Sequence, residues 1–227
     1  MVAKGTNRMR TGPAAPAFFL LLSVLLGGTT GAAAAPAPAK GAVTRSAPAK
    51  TERAVFAMGC FWCAEATFEG RTGVLSVVSG YSGGDERNPT YEEVSAGRTH
   101  HRESIEVTFD PAKTSYAQIL TVFWHNVDPT QGNGQFCDHG AQYRAAIFPV
   151  DEIQRREAEA SKQKLIASKR FAQPIVTDLL PFKSFWPAEE YHQDYYKKNP
   201  VSYHSYRLGC GRDRRLEELW GAAPGAH

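Results

Sequence analysis

The stretch AVFAMGCFWCAEATFEG, residues 54–70, joins a short apolar run to a helical pattern through a single glycine. Residues 54–58 are compatible with a buried strand that ends at Gly59. Four residues then recur at helical spacing: Phe61, Ala64, Glu65 and Phe68. Gly70 stops the pattern. Cys60 therefore lies at a strand-to-helix junction, where free backbone N–H groups and the helix dipole favour the nucleophilic thiolate over the thiol.

Strands and helices alternate through the rest of the chain. Further strands are predicted at residues 74–81, 104–109, 144–148 and 175–180, and helices at residues 89–94, 115–127, 151–168 and 187–198. This alternation favours an α/β or α+β sandwich with a mixed sheet. The C-terminal segment is expected to be a mobile tail, because Gly209 and Gly211 flank Cys210 there. Beyond it, Arg212 is expected at the start of a solvated helix.

The N-terminal residues have the pattern of an exported protein. Residues 1–10 are polar and basic, residues 17–26 are apolar except for one serine, and residues 32–35 are small. This is the arrangement of a secretory signal peptide, and the apolar run is too short to span a bilayer comfortably. We therefore predict a signal peptide at 1–34, a disordered Ala/Pro-rich leader at 35–52 and a single catalytic domain at 53–227. The expected location is the periplasm, with no stable membrane insertion after cleavage.

Composition and charge exclude several classes of protein. The formal net charge is +3, but the predicted signal peptide holds three basic residues and no acidic one, so the remaining chain is neutral. A nucleic-acid partner is therefore not expected. With 42% hydrophobic residues, the chain can bury one sizeable core, which excludes collagen-like, coiled-coil, disordered and multi-span membrane classes.

The four cysteines are Cys60, Cys63, Cys137 and Cys210, which permit three complete disulfide pairings. For Cys60 and Cys63, a local structural disulfide is one interpretation, but the aromatic pair between them favours a substrate site. A structural zinc site is disfavoured because the chain has no second C-x-x-C. A thioredoxin-like disulfide oxidoreductase and a non-enzymatic peptide-binding module remain as alternatives.

Several motifs occur in an order that points to one family. Gly59-Cys60-Phe61-Trp62 resembles the active-site signature of peptide methionine sulfoxide reductase A, which acts on the S epimer of the sulfoxide. The other motifs that follow the family pattern are residues 88–94 (NPTYEEV), 101–103 (HRE), 109–111 (FDP), 138–144 (DHGAQYR) and 187–195 (PAEEYHQDY). The resemblance runs from about Val55 to Tyr206. It implies an α+β fold, with a mixed sheet, a ferredoxin-like split βαβ core, flanking helices and long coil segments.

The resemblance also implies the roles of the site residues. Cys60 would attack the sulfoxide sulfur, and Glu103 would protonate its oxygen, with a pKa raised by an apolar pocket. The other implied residues are Tyr91 and Tyr143 as hydrogen-bond donors to the oxygen, Phe61 and Trp62 around the methyl group, and Asp138 and His139 as contacts to the substrate backbone. No metal or organic cofactor is implied.

Turnover needs a second thiol, because attack leaves Cys60 as a sulfenic acid. The family signature is often followed by glycine, but position 63 is cysteine, so we expect Cys63 to resolve Cys60. Cys210 is the alternative resolving residue. If Cys63 resolves Cys60, Cys137 and Cys210 would form a second pair, either a structural disulfide or a relay of oxidising equivalents. A thioredoxin-like protein is the expected electron donor, and the protein is expected to be a monomer.

Overall fold

A computed structural model describes residues 50–221 of the chain. The predicted signal peptide and most of the predicted leader lie outside the described residues. Among the residues that are described, no helix is both long and apolar enough to cross a membrane.

A mixed six-stranded sheet forms the centre of the fold. The strands are β1 (Glu52–Ala57), β2 (Val74–Ser82), β3 (Arg102–Phe109), β4 (Gly134–Gln135), β5 (Asp138–His139), β6 (Ala146–Phe148), β7 (Asp178–Leu179) and β8 (Phe185–Pro187). The large sheet has the order β7-β6-β1-β3-β2-β8, and β4 pairs with β5 separately. Only the β6–β7 pair of the large sheet is parallel.

The helices flank this sheet. They are α1 (Phe61–Phe68), α2 (Tyr91–Ser95), α3 (Tyr116–Trp124), α4 (Glu152–Ala167), α5 (Tyr195–Lys198), α6 (Pro200–Cys210) and α7 (Arg212–Trp220). Two short 3-10 helices lie at Ala141–Tyr143 and Glu190–His192. Side chains close the starts of two helices in capping boxes, Thr90 with Glu93 at α2 and Ser115 with Gln118 at α3.

The strand order confirms the predicted ferredoxin-like core. Strands β1 and β2 both pair antiparallel with β3, which lies between them, so β1-α1-β2 is a split βαβ unit. Strands β3 and β6 likewise both pair antiparallel with β1, which lies between them, and α3 belongs to the segment that connects β3 to β6. This topology places the start of α1 beside the start of β3.

Side-chain alternation along β1 divides the core between the two faces of the sheet. Ala54 and Phe56 belong to the main apolar cluster, which also contains residues of α1 and α3. Val55 and Ala57 belong to a smaller cluster with residues of β6 on the opposite face. Because residues 54–57 of β1 are buried on both sides of the sheet, this part of the strand is continuously apolar rather than alternating.

Two predicted elements differ in the structure. The helix expected at 187–198 is instead divided into the end of β8, a 3-10 helix and α5. The division arises because the Gln193 side chain hydrogen-bonds the backbone N–H and C=O of Ser79 on β2. Asp194 then adopts a left-handed φ of 53°, which interrupts a helix. Of the strand predicted at 175–180, only Asp178 and Leu179 form a strand, which is β7.

The C-terminal segment is helical, and not the mobile tail that its glycines predicted. Pro200 opens α6, and Gly211, with a φ of 67°, ends α6 and begins α7. Arg212 was expected to be solvated, but it is only 1% exposed. Its guanidinium donates to the carbonyl oxygens of Met58 and Asn126, so the arginine anchors α7 beneath the β1–α1 junction.

Candidate active site

Cys60 is the residue that precedes the first turn of α1. Gly59 allows the chain to enter the helix there, since its φ is 80° and a Cβ at this position would lie 2.6 Å from Cβ of Gln135. The carbonyl of Cys60 accepts the N–H groups of Cys63 and Ala64. The side chains of Cys60 and Cys63 are both buried, and neither forms a disulfide in this structure.

The Cys60 side chain lines a cavity of about 70 Å³. The other lining residues are Phe61, Trp62, Tyr91, Glu103, Asp138, Tyr143 and Tyr206. Seven of the predicted site residues thus meet at one small cavity, which suits a small functional group rather than a bulky cofactor. His139 is exposed and does not line it.

A larger groove of about 640 Å³ lies between α3, α4 and the end of α7. Its residues include Leu120, Trp124, Leu165 and Trp220, and no cysteine is among them. The thiol chemistry therefore belongs to the smaller cavity.

Glu103 is the acid of the cavity. It lies on β3 opposite Tyr81, is 3% exposed, and accepts the backbone N–H of Phe61 at 3.0 Å. Burial raises its pKa to about 8, although the Phe61 hydrogen bond acts in the opposite direction. The charge of Asp138 also raises this pKa. At neutral pH Glu103 is therefore protonated in most molecules and can donate a proton.

The two predicted phenols remain protonated at neutral pH. Burial, followed by the charge of Glu103, raises the pKa of Tyr91 to about 12 and also raises that of Tyr143. The backbone N–H of Tyr91 donates to Glu189 Oε1, which fixes the start of α2. Both phenols can thus donate hydrogen bonds to an oxygen in the cavity.

Trp62 forms an ordered wall. Its Nε1–H donates to His192 Nδ1 at 3.0 Å, and its indole stacks on Tyr195. Phe61 is fully buried beside Tyr91 and His192. Because these rings pack on each other as well as on the cavity, they are positioned before any substrate binds.

Tyr206 is a lining residue that the sequence analysis missed. Its hydroxyl donates to Asp138 Oδ2 at 2.5 Å. It comes from α6, which was expected to be a mobile tail. Pro200 and Gly211 bound this helix, and together they were the sequence signal for it.

A disulfide joins Cys137 to Cys210, which confirms the predicted second pair. It connects the segment before β5 to the end of α6, next to Asp138. Among residues 50–221, the one group of metal-ligating side chains is Cys137, Asp138 and Cys210, and the disulfide occupies both sulfurs.

The two free thiols differ in their tendency to ionise. Burial raises the pKa of Cys60 well above its ordinary value, and the neighbouring Cys63 raises it further. In contrast, a hydrogen bond from Cys60 lowers the pKa of Cys63 to about 6, and the positive charges of Arg212 and Arg207 contribute to this shift. The thiolate expected at Cys60, from its place at the start of α1, stays a prediction.

Comparison with known proteins identifies one family. Residues 52–223 match the family described as "Peptide methionine sulfoxide reductase". A peptide methionine sulfoxide reductase MsrA from Bacillus licheniformis is 51% identical over 172 residues, covering 76% of this chain and 95% of the relative. The Bacillus subtilis protein of the same name is 51% identical over 173 residues, with coverages of 76% and 98%.

Solved structures agree with this result. Methionine sulfoxide reductase A of Corynebacterium diphtheriae is similar with a TM-score of 0.60 and 35% identity, covering 69% of this chain and 78% of that one. The reduced form of Mxr1 from Saccharomyces cerevisiae has a TM-score of 0.63 and 30% identity, with coverages of 68% and 89%.

Proposed function

The chain belongs to the peptide methionine sulfoxide reductase family and reduces methionine sulfoxide in protein repair, and from this premise we propose how its residues divide the reaction. Cys60 attacks the sulfur of an S-sulfoxide, peptide-bound or free. Glu103 gives its proton to the sulfoxide oxygen, which otherwise leaves poorly. The hydroxyls of Tyr91 and Tyr143 donate hydrogen bonds to that oxygen as it gains charge.

The aromatic wall selects the substrate. Phe61 and Trp62 enclose the S-methyl group, which is apolar and small enough for a 70 Å³ cavity. Asp138, held by Tyr206, and the exposed His139 lie on the β4–β5 hairpin, where they can contact the backbone of a bound peptide. The products of this step are methionine and a sulfenic acid on Cys60.

Cys63 then resolves the sulfenic acid. It lies one helical turn from Cys60 in the same buried cluster, whereas Cys210 is bonded to Cys137. Its sulfur attacks Cys60, water leaves, and a Cys60–Cys63 disulfide forms. An external dithiol protein of the thioredoxin type reduces this disulfide, with the chain acting as a monomer in the periplasm.

The meeting of Cys60, Glu103, Tyr91 and Tyr143 at one cavity is the observation that carries this proposal. The decisive test supplies dithiothreitol and the separated R and S epimers to wild type and Cys60→Ser. We expect wild type to consume the S epimer alone and Cys60→Ser to be inactive. Activity retained by Cys60→Ser, or a preference for the R epimer, contradicts the proposal.

A second experiment identifies the resolving residue. Reduced enzyme is mixed with one equivalent of S-sulfoxide, free thiols are blocked, and the disulfides are mapped by mass spectrometry. A Cys60–Cys63 bridge is expected, and a Cys60–Cys210 bridge contradicts the assignment of Cys63.

A further inference from the structure

Asp178 on β7 holds two arginines that each lie next to a site residue in sequence. Its Oδ2 accepts Arg102 Nη2 at 2.7 Å and forms an ion pair with Arg144 Nη2 at 3.0 Å. Arg102 directly precedes Glu103 on β3, and Arg144 directly follows Tyr143. Glu103 and Tyr143 both line the cavity. Asp178, Arg102 and Arg144 therefore form an ionic clamp that joins the segment of the acid to the segment of a phenol.

Backbone contacts strengthen this connection. Arg102 Nη1 donates to the carbonyl oxygens of Arg144 and Ala145, at 3.4 and 3.2 Å. The backbone N–H of Asp178 also donates to the Ala145 carbonyl, at 3.2 Å. Because successive side chains of a strand point to opposite faces, Arg102 lies on the face of β3 away from the Glu103 carboxylate. The ionic clamp thus supports the site from behind and does not line the cavity.

The two segments that the ionic clamp joins differ in how firmly the backbone holds them. Glu103 pairs with Tyr81 in the ladder between β2 and β3, so the sheet already fixes the acid. Tyr143 ends a 3-10 helix of three residues, and such helices have poorer hydrogen-bond geometry than α-helices. We therefore expect the ionic clamp to act mainly on the position of the phenol relative to the acid.

The Asp178 carboxylate also separates two like charges. The side chain of Arg102 is 11% exposed and that of Arg144 is 36% exposed, so water screens the two charges only in part. Without the carboxylate the guanidinium groups would repel each other, and the largely buried Arg102 would lose its anion. This repulsion would push the segment that contains Tyr143 away from β3.

We propose that Asp178 is a positioning residue of the reaction, which sets the distance between the Tyr143 hydroxyl and the Glu103 carboxyl through Arg102 and Arg144. Both groups must reach the same sulfoxide oxygen, so a displaced phenol no longer stabilises that oxygen as it gains charge. The inference rests on the proposed function and adds to it a residue that lies outside the cavity.

The test is a double-mutant cycle on the first chemical step. Methionine formation is followed in a single turnover, without added reductant and at saturating S-sulfoxide peptide. The proteins compared are wild type, Asp178→Asn, Tyr143→Phe and the double variant. Asp178→Asn should lower the rate by about 10- to 10²-fold, since a misplacement of about 1 Å can cost this much. In the Tyr143→Phe background it should have little further effect, because the hydroxyl that it displaces is already absent.

Three results have distinct meanings. A wild-type rate for Asp178→Asn overturns the inference, and so do equal fold losses with and without the Tyr143 hydroxyl, which indicate a general structural role. The substrate concentration for half-maximal rate should change less than the rate itself, since Phe61 and Trp62, which enclose the methyl group, belong to α1. Failure of wild type to form methionine would instead overturn the proposed function.

A second variant tests the ionic clamp at its more exposed arginine and decides the matter if Asp178→Asn does not fold. Arg144→Gln leaves the pair of Arg102 and Asp178 in place. It should lower the rate in wild type and have little effect in the Tyr143→Phe background, and a wild-type rate overturns the inference. Glu152→Gln, which removes an exposed carboxylate of α4, is the control and should keep the wild-type rate. Urea unfolding verifies that each variant is folded.

Discussion

The indole of Trp62 stacks on the ring of Tyr195, with centroids 3.7 Å apart and planes 6° from parallel. Tyr195 opens α5 directly after Asp194, whose backbone N–H donates to Glu65 Oε1 at 3.0 Å. Glu65 and Trp62 both belong to α1. Helix α1 therefore supplies both the indole of Trp62 and the Glu65 carboxylate that fixes the backbone next to Tyr195, the stacking partner of that indole.

Loss of this stack should weaken substrate binding. Aromatic pairs contribute about 0.5–1.5 kcal/mol, so Tyr195→Ala is expected to raise KM roughly 2- to 12-fold, with a smaller effect on kcat. Tyr195→Phe keeps the ring and is the matched control, with KM close to wild type. Steady-state kinetics on an S-sulfoxide peptide measure both constants. Equal KM values for the alanine and phenylalanine variants would show that the stack does not contribute to binding.

Removal of the Glu103 acid should slow the chemical step and change its pH dependence. The pKa of Glu103 is raised to about 8, so the wild-type rate should fall as the pH rises through that value and the acid loses its proton. Glu103→Gln keeps the shape of the side chain but cannot give up a proton, and kcat is expected to fall about 10²- to 10⁴-fold. Rates measured from pH 6 to 9 should show no alkaline decline near pH 8 in this variant. Glu106→Gln, three strand positions away, is the control.

Glu65 should make the stability of the protein depend on pH. Burial raises its pKa to about 7, above the value of about 4.3 expected for an unfolded chain. The folded state therefore favours the protonated acid, and this stabilisation is complete below about pH 4 and is lost as the pH rises through 7. Glu65→Gln removes the titration. Urea unfolding at pH 5 and pH 8 should show that the variant gains stability relative to wild type at the higher pH, and a constant difference would contradict the assignment.

Local patterns predicted the part of the site that lies close in sequence. The apolar run before Gly59 and the helical spacing after it placed Cys60 correctly, because β1 and α1 are encoded by adjacent residues. The family resemblance added Glu103 and the two phenols. The same local signals failed at Arg212, since a run of charged residues is ordinarily solvated. Only the tertiary fold reveals that its guanidinium reaches the carbonyls of Met58 and Asn126.

The cysteines show the same limit. A spacing of three residues could be recognised as a local pair, but it did not show which thiol ionises. Arg207 and Arg212, whose positive charges lower the pKa of Cys63, are more than a hundred residues away in sequence. Tyr206 was missed for a related reason, because Pro200 and Gly211 mark the ends of α6 but do not show that the Tyr206 hydroxyl reaches Asp138.

The Cys137–Cys210 disulfide should contribute to stability by restricting the unfolded chain. It closes a loop between residues 73 positions apart, for which a stabilisation of roughly 2–4 kcal/mol is typical. The double variant Cys137→Ser with Cys210→Ser should therefore unfold at lower urea concentration than oxidised wild type. Wild type with excess reductant should approach the variant, while Cys63→Ser, which removes a thiol outside this bond, should not. If oxidised wild type and the double variant unfold at the same urea concentration, the bond does not stabilise the fold, and a redox role becomes the better explanation for this pair.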